Sequence, residues 1–248
     1  MKILYLAYQD QSTRQWAPVA RVSRDAKGIY HWVYTKGARR IPGFSGLGRM
    51  SNLEQEYVSA DIFPVLANRV LPKNRPEYRE YLGWLGITPE AHDHLEELAR
   101  TGGLRATDSI ELIPCPEPNQ NGQYEVHFFT RGLSHLDPSD VNRAGELKPG
   151  DQLYLMSDFQ NERDPKAILL RTRDPISIVG YAPMYYAHDF AKLATDRELV
   201  RVEVDRVNVD APLQYRLLCR ITAPWAPAFT PCDSELFEPI VSAARTAA

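Results

Sequence analysis

The segment 147–186 constrains the fold more than any other part of the chain, because it places three strand patterns between turns. A Pro-Gly turn leads into the first run, 151–156, where apolar and polar residues alternate with the period of a strand. The second run, 167–171, is almost entirely apolar, and the third begins at Ile178. The segment therefore predicts three consecutive strands.

The connection between the first two of these strands is an acidic turn with the sequence Asn-Glu-Arg-Asp, residues 161–164. Pro165 follows Asp164 and biases that residue toward an extended conformation, which holds its carboxylate at the mouth of a strand. There the carboxylate can accept hydrogen bonds from a ligand hydroxyl. It can equally accept them from the amides of its own turn, as Asn and Asp commonly do.

The N-terminal part of the chain has a different pattern, in which strand-like runs are followed by helical spacing. The predicted strands are 2–8, 16–22, 29–34 and 108–113, and the predicted helices cover 57–71 and begin at Pro76 and at Thr88.

The segment 114–122 packs three prolines, two asparagines and a glycine into nine residues, which is the strongest boundary signal in the chain. Strand patterns dominate after it, at 124–129, 199–209 and 215–221, with one helix at 185–193 and a bulge expected in 199–209. The sequence thus predicts an α+β protein. A small sheet with packed helices occupies 1–113, a linker 114–122, and a second domain 123–240.

The composition is that of an ordinary globular chain, since 44% of the 248 residues are apolar and 25% are charged. No run approaches the roughly 20 apolar residues of a membrane span, and the first residues do not form a signal peptide. We therefore expect a cytoplasmic protein with no membrane partner. The three cysteines form no CxxC pair, so neither a disulfide framework nor a thiolate zinc site is indicated.

Basic residues are concentrated in the first half of the chain. Residues 1–105 contain 15 Lys and Arg against 11 Asp and Glu, and residues 10–49 contain eight basic residues against two acidic ones. Such an excess can follow a phosphate backbone, or it can be an ordinary solvated face. The first interpretation predicts a secondary phosphate-binding patch at Arg21, Arg39, Arg40 and Arg49.

The C-terminal pattern resembles the HIRAN domain, a small β-barrel module. The resemblance rests on the Asn-x-x-Asp loop, the Ala-Ile that follows it, the closing Val-Gly-Tyr-x-Pro, and a Gly-Leu pair at 132–133. It implies a barrel over 123–240 that holds the 3′ end of single-stranded DNA, with aromatic side chains stacking on the terminal bases and an acid contacting the terminal hydroxyl. The implied DNA-binding residues are Asp164, His135, Tyr181, Arg163, Ser134, Asn161 and Arg131, and Arg163 stands where an aromatic residue is expected.

The first 87 residues resemble the N-terminal subdomain of HipA-type toxin kinases. The resemblance rests on the sequence Phe-Pro-x-Leu-x-Asn-x-x-Leu-Pro at 63–72, which follows a small set of strands. The catalytic loop, the metal-binding Asp and the Gly-rich loop of a kinase have no counterpart here. The resemblance therefore implies a docking or regulatory module rather than phosphoryl transfer.

No motif in the sequence predicts catalysis. Ser45 lacks the second glycine of a nucleophile elbow, and there is no P-loop and no dinucleotide-binding turn. His92 and His94 are two residues apart on a predicted helix and do not share a face, so we expect both to be solvated surface residues. The sequence predicts no enzyme, no cofactor and no metal site.

Two functions follow from these patterns. The first is a nucleic-acid-binding protein that recognises single-stranded DNA in DNA repair, DNA processing or phage defence. The alternative is a non-catalytic protein-interaction adaptor, or a regulatory subunit of a toxin–antitoxin-like or defence system, in which the N-terminal module docks a protein partner.

Overall fold

The computed structural model describes residues 2–13, 15–105, 107–162, 164, 166–193, 199–227 and 229–241, without the side chain of His188. The chain divides into two compact units, and neither is continuous in sequence. The first unit contains Met1–Arg75, His92–Cys115 and the chain from Thr230 onward, and the second contains Pro76–Ala91 and Pro116–Phe229.

The first unit is built on a five-stranded antiparallel sheet with the strand order β4-β3-β2-β1-β5. Up to residue 115 the elements are β1 (Ile3–Gln9), β2 (Trp16–Arg24), β3 (Tyr30–Tyr34), β4 (Tyr57–Ser59), α1 (Pro64–Ala67), α2 (Tyr78–Leu85), α3 (His94–Thr101) and β5 (Ile110–Cys115). Of these, α2 lies in the second unit. The large buried side chains of the sheet, such as Leu6 and Trp32, share one core with Leu95 and Leu98 of α3.

The predicted boundaries of two helices in this region are wrong. The helical spacing over 57–71 yields only the single turn of α1, because Tyr57–Ser59 pairs instead with β3 and becomes the edge strand β4. The helix predicted from Thr88 begins at His94. The side chain of Asp93 accepts hydrogen bonds from the amides of Leu95 and Glu96, both at 3.0 Å, so Asp93 is the N-cap.

The expectation that His92 is a solvated surface residue is also wrong. Its side chain is 2% exposed, and its Nε2 lies 2.7 Å from Oε2 of the fully buried Glu97. The other carboxylate oxygen of Glu97 accepts a hydrogen bond from the Leu71 amide at 2.9 Å. A buried carboxylate needs such partners, and no sequence period shows that His92 supplies one.

The chain is not divided into two consecutive domains at the predicted linker. Strand β5 runs to Cys115, so it includes the first two residues of the predicted linker, and Pro114 is tolerated because β5 is an edge strand. The segment after residue 230 returns to the first unit, where the Phe237 ring lies 4.8 Å from that of Tyr5 and the Lys36 amide donates to the Glu238 carbonyl at 2.8 Å. The boundaries 1–113 and 123–240 stay a prediction about independent folding.

The second unit is a curled six-stranded antiparallel sheet, a half-barrel with the order β6-β11-β10-β7-β8-β9. Its elements are β6 (Gln123–Phe129), α4 (Pro138–Glu146), β7 (Gln152–Ser157), β8 (Ile168–Arg171), β9 (Ile178–Tyr181), α5 (Met184–Leu193), β10 (Arg201–Val207) and β11 (Leu217–Pro224). The predicted fold class is confirmed, including the bulge in β10 between Val204 and Arg206. Helix α4 was not predicted.

Helix α2 packs within this second unit. The ring of Trp84 is stacked on that of Tyr215, with centroids 6.2 Å apart, and the Tyr81 ring meets Tyr215 edge-on at 5.8 Å. The Asn208 side-chain amide also donates to the Trp84 carbonyl at 3.0 Å.

None of the helices in the described part of the chain is both long enough and apolar enough to cross a membrane.

Candidate functional site

The two edge strands of the half-barrel meet at Tyr181, the last residue of β9. Arg131, two residues beyond β6, and Tyr181 exchange both backbone hydrogen bonds, at 2.8 and 2.9 Å. Gly180 makes this approach possible, since a Cβ there would lie 2.7 Å from Cβ of Thr130, and its φ of 122° is one that side chains disfavour. The Val-Gly-Tyr sequence therefore places Tyr181 where the sheet curls back on its first strand.

The hydroxyl of Tyr181 donates a hydrogen bond to Oδ2 of Asp158 at 3.0 Å. Asp158 follows the last residue of β7, so this bond joins the ends of β7 and β9. Burial raises the pKa of the Tyr181 phenol above its ordinary value, and the Asp158 carboxylate raises it further. The phenol therefore stays protonated at neutral pH and remains a hydrogen-bond donor.

Asn161 connects this pair to Asp164. Its side-chain amide donates to Oδ2 of Asp158 at 3.2 Å, and its Oδ1 accepts from the Asp164 amide at 3.0 Å. One oxygen of Asp164 accepts from the Lys166 amide at 2.9 Å, so the interpretation that Asp164 stabilises its own turn is confirmed. A ligand contact by the partly exposed Asp164 stays a prediction.

The turn after β6 lies against the ring of Tyr181. Gly132 has a φ of 76°, and a Cβ on it would lie 3.2 Å from Cδ2 of Tyr181. The following 3₁₀ turn, Leu133–His135, buries Leu133 and leaves Ser134 and His135 exposed. The two predicted pocket residues thus lie two and three positions after Gly132, the residue beside the Tyr181 ring.

The structure gathers most of the predicted site residues around the ends of β7 and β9. Arg131 takes part through its backbone, and Arg163 lies outside the described residues. Two further residues of this region, Asp158 and Phe159, are not among the predicted site residues. Phe159 is 85% exposed. An acid followed directly by an aromatic residue at the end of a strand is the sequence signal that could have identified them.

The predicted basic patch lies in the first unit. Nη2 of Arg39 is 3.0 Å from Oε1 of Glu54, so the charge of Arg39 is already paired. Arg40 and Arg49 are exposed, and Arg21 is partly buried on β2. Residues 127–230 hold 13 basic and 14 acidic side chains, and the whole second unit holds 14 basic against 19 acidic ones. The described residues contain no group of three or more His, Cys, Asp or Glu side chains placed to bind a metal ion.

The family model of the HIRAN domain matches residues 123–226, so this part of the chain is similar to HIRAN domains. The predicted HipA-like resemblance of the N-terminal part is not supported by the comparisons. Comparison with curated proteins gave no match.

Two solved structures are similar to this chain. One is the HIRAN domain of human HLTF, with 16% identity over 42% of this chain and 80% of the other, and a TM-score of 0.31. The second is a protein from Lactobacillus plantarum, with 20% identity over 41% of this chain and 97% of the other, and a TM-score of 0.32.

Proposed function

We propose that the HIRAN-like domain of this chain binds single-stranded DNA and holds its free 3′ end beside Tyr181. HIRAN domains are associated with DNA binding, and the proposal rests on one observation in this structure. That observation is the network of Asp158, Asn161, Asp164 and Tyr181 at the ends of β7 and β9. Free 3′ ends arise in DNA repair, DNA processing and phage defence, so these are the settings in which we expect it to act.

The charges at this site favour a hydroxyl over a phosphate. Two carboxylates, Asp158 and Asp164, lie in one loop, and both would repel a terminal phosphate. A 3′-hydroxyl is instead a hydrogen-bond donor, which a carboxylate can accept. Both oxygens of Asp158 accept hydrogen bonds within the loop, Oδ2 from Tyr181 and Asn161 and Oδ1 from the Gln160 amide, whereas the Lys166 amide binds only Oδ1 of Asp164. We therefore assign the hydroxyl contact to Asp164 and a positioning role to Asp158.

Flat side chains supply the contact with the bases. Tyr181 and the exposed His135 are the two rings at the turn after β6, and stacking on such rings contributes on the order of 1–3 kcal/mol per base. The balanced charge of residues 127–230 agrees with binding by stacking rather than by many phosphate contacts. These roles are non-catalytic, and we propose binding without an enzymatic reaction at this site.

The test is fluorescence anisotropy with short single strands that carry either a 3′-hydroxyl or a 3′-phosphate. We expect the intact protein to bind the 3′-hydroxyl strand more tightly, by about tenfold for each 1.4 kcal/mol of difference. Asp164→Asn keeps an oxygen for the Lys166 amide but removes the charge, so it should abolish the difference. Equal binding of the two strands by the intact protein would contradict the proposal.

Two variants of Tyr181 separate its ring from its hydroxyl. Tyr181→Phe keeps the stacking surface and loses only the bond to Asp158, so single strands should bind it with a small loss of affinity. Tyr181→Ala removes the ring and should weaken all single strands by about 1–3 kcal/mol, whichever group ends them. Similar affinities for these two variants would assign the ring no part in binding.

A further inference from the structure

A groove opens in the second unit where β7 separates from β10. The two strands pair only at Val202 with Leu153 and at Glu203 with Gln152, after which β7 continues beside β8 alone. The space there has a volume of about 660 Å³, within the roughly 300–1,000 Å³ of small-ligand sites. The groove is therefore large enough for a nucleotide-sized group.

The lining of the groove combines an apolar floor with a rim of flat and cationic side chains. Leu153 and Ile168 contribute to the floor. At the rim, the guanidinium of Arg171 lies 5.3 Å from the centroid of the Tyr154 ring. Both side chains are partly exposed, and Met156 beside them is 46% exposed. An aromatic ring next to a guanidinium offers a base a stacking surface and a phosphate a cation.

The groove adjoins the site around Tyr181 at the end of β7. Ser157 and Phe159, the two sequence neighbours of Asp158, both line the groove, whereas the carboxylate of Asp158 accepts the hydrogen bond from Tyr181. The two sites therefore meet at three consecutive residues. Phe159, the most exposed large apolar side chain in the described part of the chain, stands at this junction.

We infer that this groove holds the nucleotides on the 5′ side of the terminal one, so that a single strand runs from Tyr181 past Phe159 to Tyr154 and Arg171. The inference rests on the proposed function, because it assigns a path to a strand whose end lies at Tyr181. A strand on this path gains stacking contacts from Phe159 and Tyr154 but only one phosphate contact, from Arg171. Its affinity therefore increases with length while its salt dependence stays weak.

The test measures affinity for 3′-hydroxyl oligothymidylates of two, four and six nucleotides at two salt concentrations. The intact protein should bind the longer strands at least tenfold more tightly than the dinucleotide. Tyr154→Leu and Arg171→Met should remove most of this gain, about five- to tenfold each, and leave the dinucleotide and the preference for a 3′-hydroxyl unchanged. Arg171→Met should also lower the salt slope by about 0.7, the value for one phosphate of a single strand.

Exposed residues outside the groove provide matched controls. Arg173→Met removes a cation two residues from Arg171. Phe159→Ala should reduce the gain in affinity with length, and Ile176→Ala, which shortens an apolar side chain that is 71% exposed, is its control. Neither control should alter the length dependence, and thermal melting checks that every variant is folded.

The outcomes separate the groove from the 3′-end site. Equal affinity for short and long strands, with the 3′-hydroxyl preference intact, would overturn the groove inference and leave the proposed function standing. Length dependence that survives both Tyr154→Leu and Arg171→Met would overturn it as well. Absence of the 3′-hydroxyl preference in the intact protein would instead overturn the proposed function.

Discussion

The two units of the chain differ in what they leave exposed. In the first unit, several basic side chains already have acidic partners, among them Arg24 with Asp93, Arg39 with Glu54, and Lys36 with Glu235 and Glu238. The second unit has more acidic than basic residues, 19 against 14, and flat and apolar side chains remain exposed there beside a carboxylate loop.

The proposed function implies that net charge alone is a poor guide to a single-strand-binding surface. Exposed ion pairs contribute little to stability, typically 0–1 kcal/mol, yet each one reduces the positive charge that a phosphate would meet. Stacking surfaces carry no charge and are invisible to a count of basic residues. Under the proposed function, the more basic first unit is therefore the weaker candidate for holding a strand end.

The largest expected effect concerns the glycine that lets β9 approach the first strand of the half-barrel. Gly180→Ala places a Cβ against Thr130 at a disfavoured φ, and we expect a loss of about 2–4 kcal/mol in the free energy of unfolding. Urea denaturation measures it. Gly145→Ala in α4 meets no atom within 4 Å and should stabilise the protein by about 0.5–1 kcal/mol. Equal stability of the two variants would contradict the described closure at Tyr181.

A second prediction tests whether α2 belongs with the half-barrel. Cleavage within 116–122 leaves α2 on the N-terminal fragment and Tyr215 on the C-terminal one, although these elements pack together. The segment from Thr230 onward also packs on the first unit, so the test uses a chain that ends at Phe229, and we expect the two fragments of this nicked chain to co-elute in size-exclusion chromatography. Tyr215→Ala removes the stacking partner of Trp84 and should promote their separation, at a cost of about 1–2 kcal/mol. Fragments that separate freely without any substitution would restore the linear division at 114–122.

The smallest expected effect concerns the basic residues of the first unit. If Arg40 and Arg49 contact phosphates, replacing both with Ala should weaken all single strands alike and flatten the salt slope by about 0.7 for each lost contact. Because Arg39 is paired with Glu54, Arg39→Ala should have less effect and serves as the comparison. A slope that is unchanged in the double variant would assign Arg40 and Arg49 to an ordinary solvated surface.

The strands of the second unit could be predicted because their apolar periods agree with the final pairing, as in β7 and β8. The Val-Gly-Tyr sequence carries the family resemblance, but the reason for the glycine lies in the close approach to Thr130, 50 residues earlier in the chain. The role of Asp158 depends on Tyr181, 23 residues away, and the burial of His92 depends on Glu97. Strand β4 forms because Tyr57–Ser59 finds a partner in β3. Such contacts are set by tertiary packing, which a local pattern does not encode.

Crosslinking tests the central claim most directly, because it identifies the unit that holds the strand end. A single strand with 4-thiothymidine as its 3′-terminal nucleotide is irradiated with the intact protein, and the crosslinked peptides are identified by mass spectrometry. We expect the crosslinks in peptides that contain Phe159 or Tyr181, and we expect an excess of unlabelled 3′-hydroxyl strand to compete them away more effectively than a 3′-phosphate strand. Crosslinks confined to peptides of the first unit would contradict the account.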